Sequence, residues 1–369
     1  MNSKKFQTFF DCGSSKVRAG IFNKDDKSEA FYAESEFFTD QSNLDFKIQK
    51  IITSFEKDTN EYIDNIDLMI DSPKMFSIGI SMSKKLDGSN LKQTNVQFLI
   101  QEAKQQVLKY YTNYNIIHII INNYKIDDVD YFHLPHDIKC NFISLDILFI
   151  CIPHDVVLYF KNIFLKSNIL INQIICSSYA KSINYRDNLN LSGRVSFVDI
   201  GFNKTSIISS FNDKVLFLDV LPVGGNHITK DISKILKIDL EQSEQVKLNL
   251  DKNHKLSSDG DLLLDKLQKI VFARTEEILE LCTKSIKSNP FMLDSFKMVL
   301  TGEGSKILDN QHNDKIFFSD AIDFLEETTE DICQSGFKYG LGLNKQEVVM
   351  VPKKLIKEGF FEKLFHFFK

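Results

Sequence analysis

Two short stretches of this chain carry residues that could grip an anion. Asp11-Cys12-Gly13-Ser14-Ser15-Lys16 and Asp199-Ile200-Gly201-Phe202-Asn203-Lys204 share the pattern D-x-G-x-x-K, and no other Asp-x-Gly occurs in the 369 residues. Each follows a run of strand formers, FQTFFD or RVSFVD, and precedes another, KVRAGIF or TSIISSF. A glycine at such a tip has no Cβ, so successive backbone N–H groups can close on phosphate oxygens. The aspartate ending each first strand can hold Mg2+, directly or through water, and Lys16 can neutralise a phosphate. One such turn is an ordinary hairpin feature; two copies half a chain apart indicate two related halves facing each other. A third turn, Thr301-Gly302-Glu303-Gly304-Ser305, follows the strand 296-FKMVL-300. Its glycines would let a nucleoside lie against the backbone.

The elements that must position these turns read as α/β. A helix is expected around 45–57 and a short buried strand at 67–71. Residues 76–152 read as a small module of one helix and three strands. In it Val96, Leu99, Ile100, Ala103, Val107 and Tyr111 form one helical stripe, and the polar stretch 127–139 is a loop. A helix near 154–167 and a strand at 168–176 follow. The second hairpin starts at 194, and Gly224-Gly225 opens a largely helical block, about 226–290.

Composition narrows the class. Hydrophobic residues make up 43% and charged residues 26% of the chain, enough for a sizeable core. The net charge of −5 does not point to nucleic acid. Cys12, Cys140, Cys151, Cys176, Cys282 and Cys333 have no zinc spacing and read as reduced core thiols of a cytosolic protein. His118, His133, His136 and His154 show no metal spacing either. No signal peptide is evident, and no run of apolar residues is long enough to span a membrane.

The order hairpin, hairpin, glycine turn resembles the actin-like ATPase superfamily, and within it the bacterial cell-division family FtsA. The segment 221-LPVGGNHITKDISKIL-236 carries the more specific likeness, together with 243-SEQVK-247, 271-VFARTEEILE-280 and 299-VLTGEGS-305. The resemblance covers nearly the whole chain. It implies an actin-like ATPase fold, two related domains around a nucleotide cleft, with an FtsA-type inserted subdomain. The implied first domain is 1–75, completed by 153–190 and about 335–352. The inserted subdomain is 76–152, the second domain 191–334, with its helical part at about 226–290, and 353–369 a terminal helix.

The resemblance also implies an ATP site. Gly13, Ser14, Ser15 and Lys16 would touch phosphates from one side, and Gly201, Asn203, Lys204 and Thr205 from the other. Asp11 and Asp199 would face Mg2+. Gly224 and Gly225 would approach the nucleotide, with Glu244 and Lys247 flanking adenosine and Gly302, Gly304 and Ser305 opposite. Read by themselves, Glu244 and Lys247 are equally an exposed ion pair one helical turn apart. The chain departs from the family at the second hairpin, where two glycines and a threonine become Phe202, Asn203 and Lys204, and at Glu303, which replaces a glycine. Phe202 crowds close backbone approach, and the Glu303 carboxylate is expected to face away from phosphate. These departures suggest ATP binding with slow or absent turnover.

The last residues, 355-LIKEGFFEKLFHFFK-369, gather Phe360, Phe361, Leu364, Phe365 and Phe368 on one side of a helical wheel, opposite Glu362, Lys363, His366 and Lys369. A basic, Phe-rich helix of this kind suits an anionic membrane surface. With the resemblance, it implies a peripheral protein on the cytoplasmic face of the cell membrane at the division septum. The implied partners are the ring protein FtsZ, later division proteins and further copies of the chain in filaments. Two other readings carry the same hairpins: a small-molecule kinase of the superfamily, which needs a positioned carboxylate base, and a pilus-assembly actin homologue, which would lack the terminal lipid helix.

Overall fold

The computed structural model describes residues 5–26, 28–38, 42–135, 138–253, 262–309 and 321–341. The tail helix expected at 353–369, with Phe360, Phe361, Leu364, Phe365 and Phe368, lies outside the described residues.

The first half opens with β1 (Phe6–Cys12), β2 (Val17–Asn23) and β3 (Ala30–Glu34), then α1 (Leu44–Thr59) and β4 (Asn65–Ile70). Helix α1 forms where expected because Leu44, Ile48, Ile51, Ile52 and Phe55 recur at helical spacing and are buried. An insertion follows: β5 (Phe76–Asn90), α2 (Gln93–Tyr110), β6 (Tyr114–Ile126), β7 (Val129–Tyr131) and β8 (Lys139–Pro153). The stripe Val96, Leu99, Ile100, Ala103 and Val107 is buried against this sheet, while Tyr111 lies at the helix C-cap. The stretch expected to be a loop contains β7, a fourth strand too short to show alternation. Helix α3 (His154–Leu165), β9 (Leu170–Cys176) and α4 (Ser177–Asn188) return the chain to the first sheet.

The second half contains β10 (Arg194–Ile200), β11 (Thr205–Phe211), β12 (Lys214–Leu221), α5 (Gly225–Leu236), α6 (Leu240–Asn253) and α7 (Leu262–Lys287). It continues with β13 (Lys297–Thr301), a four-residue α8 (Lys306–Asp309), β14 (Ala321–Phe324) and α9 (Thr329–Gly340).

The repeat inferred from the hairpins extends to the sheets. The first sheet has the order β3-β2-β1-β4-β9, and the second contains β12-β11-β10-β13-β14. In each, the opening strand pairs antiparallel with the second and parallel with the fourth of its series. This is the mixed α/β actin-like architecture that the repeated turns suggested.

The insertion attaches in an unexpected place. Although it interrupts the first half, β5 joins the edge strand β12 of the second sheet at Phe76 and Asp219, giving a sheet of nine strands among the described residues. Ser77 Oγ accepts from Leu218 N at 2.7 Å, and Asn122 Nδ2 donates to the Val215 carbonyl at 2.6 Å. The principal core runs through this junction: Phe10, Leu68 and Phe164 of the first half share it with Ile120 and Ile150 of the insertion and Ile208 and Val220 of the second. A shared apolar core resists shear between its parts, because parting them exposes that surface to water. All six cysteines are buried and free.

Candidate functional site

The two hairpins have the same geometry. Asp11 lies opposite Arg18 and Cys12 opposite Val17; Asp199 lies opposite Ser206 and Ile200 opposite Thr205. Each tip is closed by the same backbone bond, Gly13 N to Lys16 O at 3.0 Å and Gly201 N to Lys204 O at 2.9 Å. Matching registers put both aspartates at the mouth of one cleft, because side-chain direction alternates strictly along a strand.

That cleft is lined by both tips and by the third turn. Asp11, Gly13, Ser14, Ser15, Asp199, Gly201, Lys204 and Gly302 all border a cavity of ≈ 80 Å³. A wider cavity of ≈ 570 Å³ adjoins it at Gly13, Ser14, Asp71, Asn203 and Lys204, within the roughly 300–1,000 Å³ of ligand pockets. The chain's own charges bridge the smaller cavity. Glu303 Oε1 accepts from Lys16 Nζ at 2.9 Å and from Arg18 Nη2 at 2.7 Å, tying the third turn of the second half to the first hairpin. The expectation that this carboxylate faces away is therefore corrected: it points at the two cations that would meet an anion. Burial pushes the Glu303 pKa up, but the Lys16 hydrogen bond and the nearby Arg18 charge outweigh it and hold the group below its ordinary range. A lowered carboxylate pKa contributes stability above the unfolded value and loses it as pH falls through the folded one. The latch is thus complete at neutral pH and opens in acid.

The aspartates are also matched. Asp11 accepts from Ser177 Oγ at 2.6 Å and lies 3.8 Å from Arg18 Nη1. Asp199 Oδ2 is 2.5 Å from Lys181 Nζ, which is 3.0 Å from Glu327 Oε1. Glu327 further accepts from Tyr185 Oη at 2.7 Å and Gly302 N at 2.9 Å. Burial works against the Lys181 charge, yet Asp199, Glu327 and Asp11 together raise its pKa above the ordinary lysine value. The donor set expected for Mg2+ does not fit a divalent ion as it stands. Asp199 already faces an ammonium at hydrogen-bond distance, and Mg2+ demands near-octahedral oxygen coordination.

The remaining expected residues divide into two groups. Asn203 accepts from Asn226 Nδ2 at 2.7 Å, and Asn226 N bonds the Phe202 carbonyl at 2.7 Å, so the second tip is pinned to the start of α5. Gly224 makes this possible: a Cβ there would sit 2.5 Å from the Gly201 carbonyl oxygen. Gly225 lies between Lys247 and Gly304, where a Cβ would be 3.6 Å from Lys247 Nζ and 3.8 Å from Gly304 Cα. Thr205, in contrast, is fully buried and donates to the Val223 carbonyl at 2.8 Å. Ser305 Oγ donates to the Gly302 carbonyl at 2.7 Å. Both hydroxyls are spent on the backbone. Glu244 and Lys247 are paired at 2.7 Å and are buried rather than exposed; Lys247 also donates to Thr229 Oγ1 at 2.9 Å and the Gly225 carbonyl at 3.2 Å. Phe202 is buried, edge-on to Phe37 of the first half at 5.2 Å and 5.8 Å from Lys247 Nζ.

Sequence reasoning missed Arg18, Asp71, Ser177, Lys181 and Glu327. Arg18 was legible as the cross-strand neighbour of Asp11 once the hairpin register is drawn. Asp71 carries Ser206 Oγ on its carboxylate at 2.8 Å and the Lys204 ammonium on its carbonyl, joining β4 to the second hairpin. No local signal marks Lys181 or Glu327, whose partners lie elsewhere in the chain.

The strand order, the paired hairpins and the shared cleft define an α/β protein with the actin-like ATPase fold. A solved PilM-PilN type IV pilus biogenesis complex superposes with a TM-score of 0.60 over 88% of this chain and 89% of that one, at 11% identity, a likeness of fold alone. Residues 196–270 match the family model for Cell division protein FtsA. Cell division protein FtsA of Bacillus subtilis is 30% identical over 118 residues, 28% of this chain and 26% of that relative. The Buchnera aphidicola FtsA is 24% identical over 276 residues, 68% of this chain and 61% of the relative. The chain thus aligns with less than two thirds of these relatives' own lengths, and within the actin-like class it is FtsA-like.

Proposed function

We propose that this chain is an ATP-binding, actin-like cell-division protein. It assembles into filaments on the inner face of the cell membrane, tethers FtsZ there and recruits later division proteins. The observation that carries the reading is the pair of matched hairpin tips, from the two halves of the chain, bordering one cleft. ATP is held by the backbone amides around Gly13–Lys16 and Gly201–Lys204, with Gly224, Gly225, Gly302 and Gly304 close to the nucleoside. Lys16 and Arg18 supply its positive counter-charge. Because both halves contribute, the nucleotide biases their relative position. Turnover is slow or absent: among the described residues, Asp11, Asp199, Glu303 and Glu327 are each already bonded to a cation or hydroxyl, leaving none as a poised base.

Membrane attachment falls to the basic aromatic tail. Among the described residues no helix is long and apolar enough to cross a membrane. One tail binds reversibly, and a filament presenting many copies binds tightly through avidity. Sedimentation with anionic liposomes, with and without ATP and FtsZ, tests the reading. FtsZ is expected in the pellet only with the intact chain, and removal of 356–369 should leave both proteins in the supernatant. Pelleting unchanged by that deletion would refute the membrane role.

Binding of a fluorescent ATP analogue tests the cleft. Glu303→Ala should raise affinity by about tenfold, since the incoming anion no longer displaces a carboxylate from Lys16 and Arg18. A fall in affinity would mean that Glu303 supports the ligand instead of competing with it.

A further inference from the structure

The two strand-end aspartates occupy equivalent positions, yet their cross-strand neighbours differ. Asp11 faces Arg18, a built-in cation, whereas Asp199 faces Ser206, which is neutral. The missing charge comes from elsewhere in the fold. Lys181 enters from α4 and sets its ammonium 2.5 Å from Asp199 and 3.0 Å from Glu327, with side chains only 7%, 19% and 5% exposed respectively. Glu327 is fixed by Tyr185 Oη of α4 and the Gly302 amide of the third turn, so the acceptor is held from two separate elements. A buried ammonium bridging two carboxylates occupies the position a metal ion would take between acidic oxygens. It offsets one of their two negative charges and holds both carboxylates in place, without needing an octahedral shell of oxygens.

We propose that Lys181 is the resident cation of this cleft, standing in place of a divalent metal, so that an anion is held between the hairpins without Mg2+. Arg18 serves Asp11 as Lys181 serves Asp199. The consequence for nucleotide rests on the ATP reading above; the consequence for metal does not.

Two measurements separate these. In the first, a fluorescent ATP analogue is titrated in Mg2+ and in EDTA. Equal affinity in both is expected, and a loss of about tenfold or more in EDTA would overturn the proposal. No binding in either condition would sink the ATP reading and leave the second measurement to decide. In the second, the nucleotide-free protein is titrated with Mn2+, with free ion followed by electron paramagnetic resonance and stability by thermal melting. The wild type should show no Mn2+ uptake that Asp199→Asn abolishes. Lys181→Ser, which frees both carboxylates and makes room for a hydrated ion, should gain one Mn2+ site and a rise in Tm with the metal. A folded Lys181→Ser protein indifferent to Mn2+ would overturn the proposal. So would wild-type uptake lost on Asp199→Asn, a result that stands even if the lysine variant does not fold.

Discussion

Gly302→Ala should be the most damaging single substitution in the cleft. Gly302 has φ +85 and ψ 158, a region open essentially to glycine alone. A Cβ there would sit 2.3 Å from Asp199 Oδ1 and 2.6 Å from the Ile200 carbonyl oxygen. The first clash pushes Asp199 off Lys181, and the second pushes β13 off β10, to which it is parallel-paired at Asp199 and Thr301. Backbone strain and overpacking together give a loss of about 3 kcal/mol or more. Urea denaturation measures it. Gly193 provides the control, because it shares a positive φ of +76 but a Cβ there would meet no atom within 4 Å. Gly193→Ala should therefore show the strain without the clash, at about 1 kcal/mol. Equal midpoints for the two variants would show that contact with Asp199 and Ile200 contributes nothing.

Glu244→Ala is the second large effect. It leaves the Lys247 ammonium buried beside Gly225 and Thr229 without its carboxylate. Burial already pulls the Lys247 pKa below its ordinary value, against the pull of Glu244. Removing one partner of a buried pair costs about 3–5 kcal/mol, because the other charge is left unmatched in a poor dielectric. Replacing both residues together, as Glu244→Leu with Lys247→Met, should recover most of that loss. The double variant also tests the adenosine assignment. Recovered stability with lost affinity for the ATP analogue would place these side chains against the nucleotide. Recovery of both would make the pair a clamp between α5 and α6, held through Thr229, and nothing more.

The most legible features in the chain were local. The hairpin tips could be read because a D-x-G turn needs only six consecutive residues, and its duplication is visible without any contact information. The structure extends that duplication to two five-strand patterns of the same order. Helices α1 and α2 were legible from the spacing of residues such as Ile48, Ile52, Leu99 and Ala103. Strand β7, three residues long, was not, since alternation cannot be seen over so short a run. The orientation of Glu303 was misjudged because its partners, Lys16 and Arg18, are separated from it by nearly the whole sequence.

By itself the sequence determined the two turns, the third glycine turn beside them and the helical and strand periods, since each depends on residues close along the chain. Only the tertiary structure decided how the cleft is charged and which sheet the insertion extends. Lys181 becomes a buried cation because α4 packs against β10 and α9, which bring Asp199 and the neighbouring Glu327 to it. Burial turns such a lysine from a solvated surface charge into a fixed counter-ion, and no stretch of neighbouring residues encodes how deeply a side chain is buried.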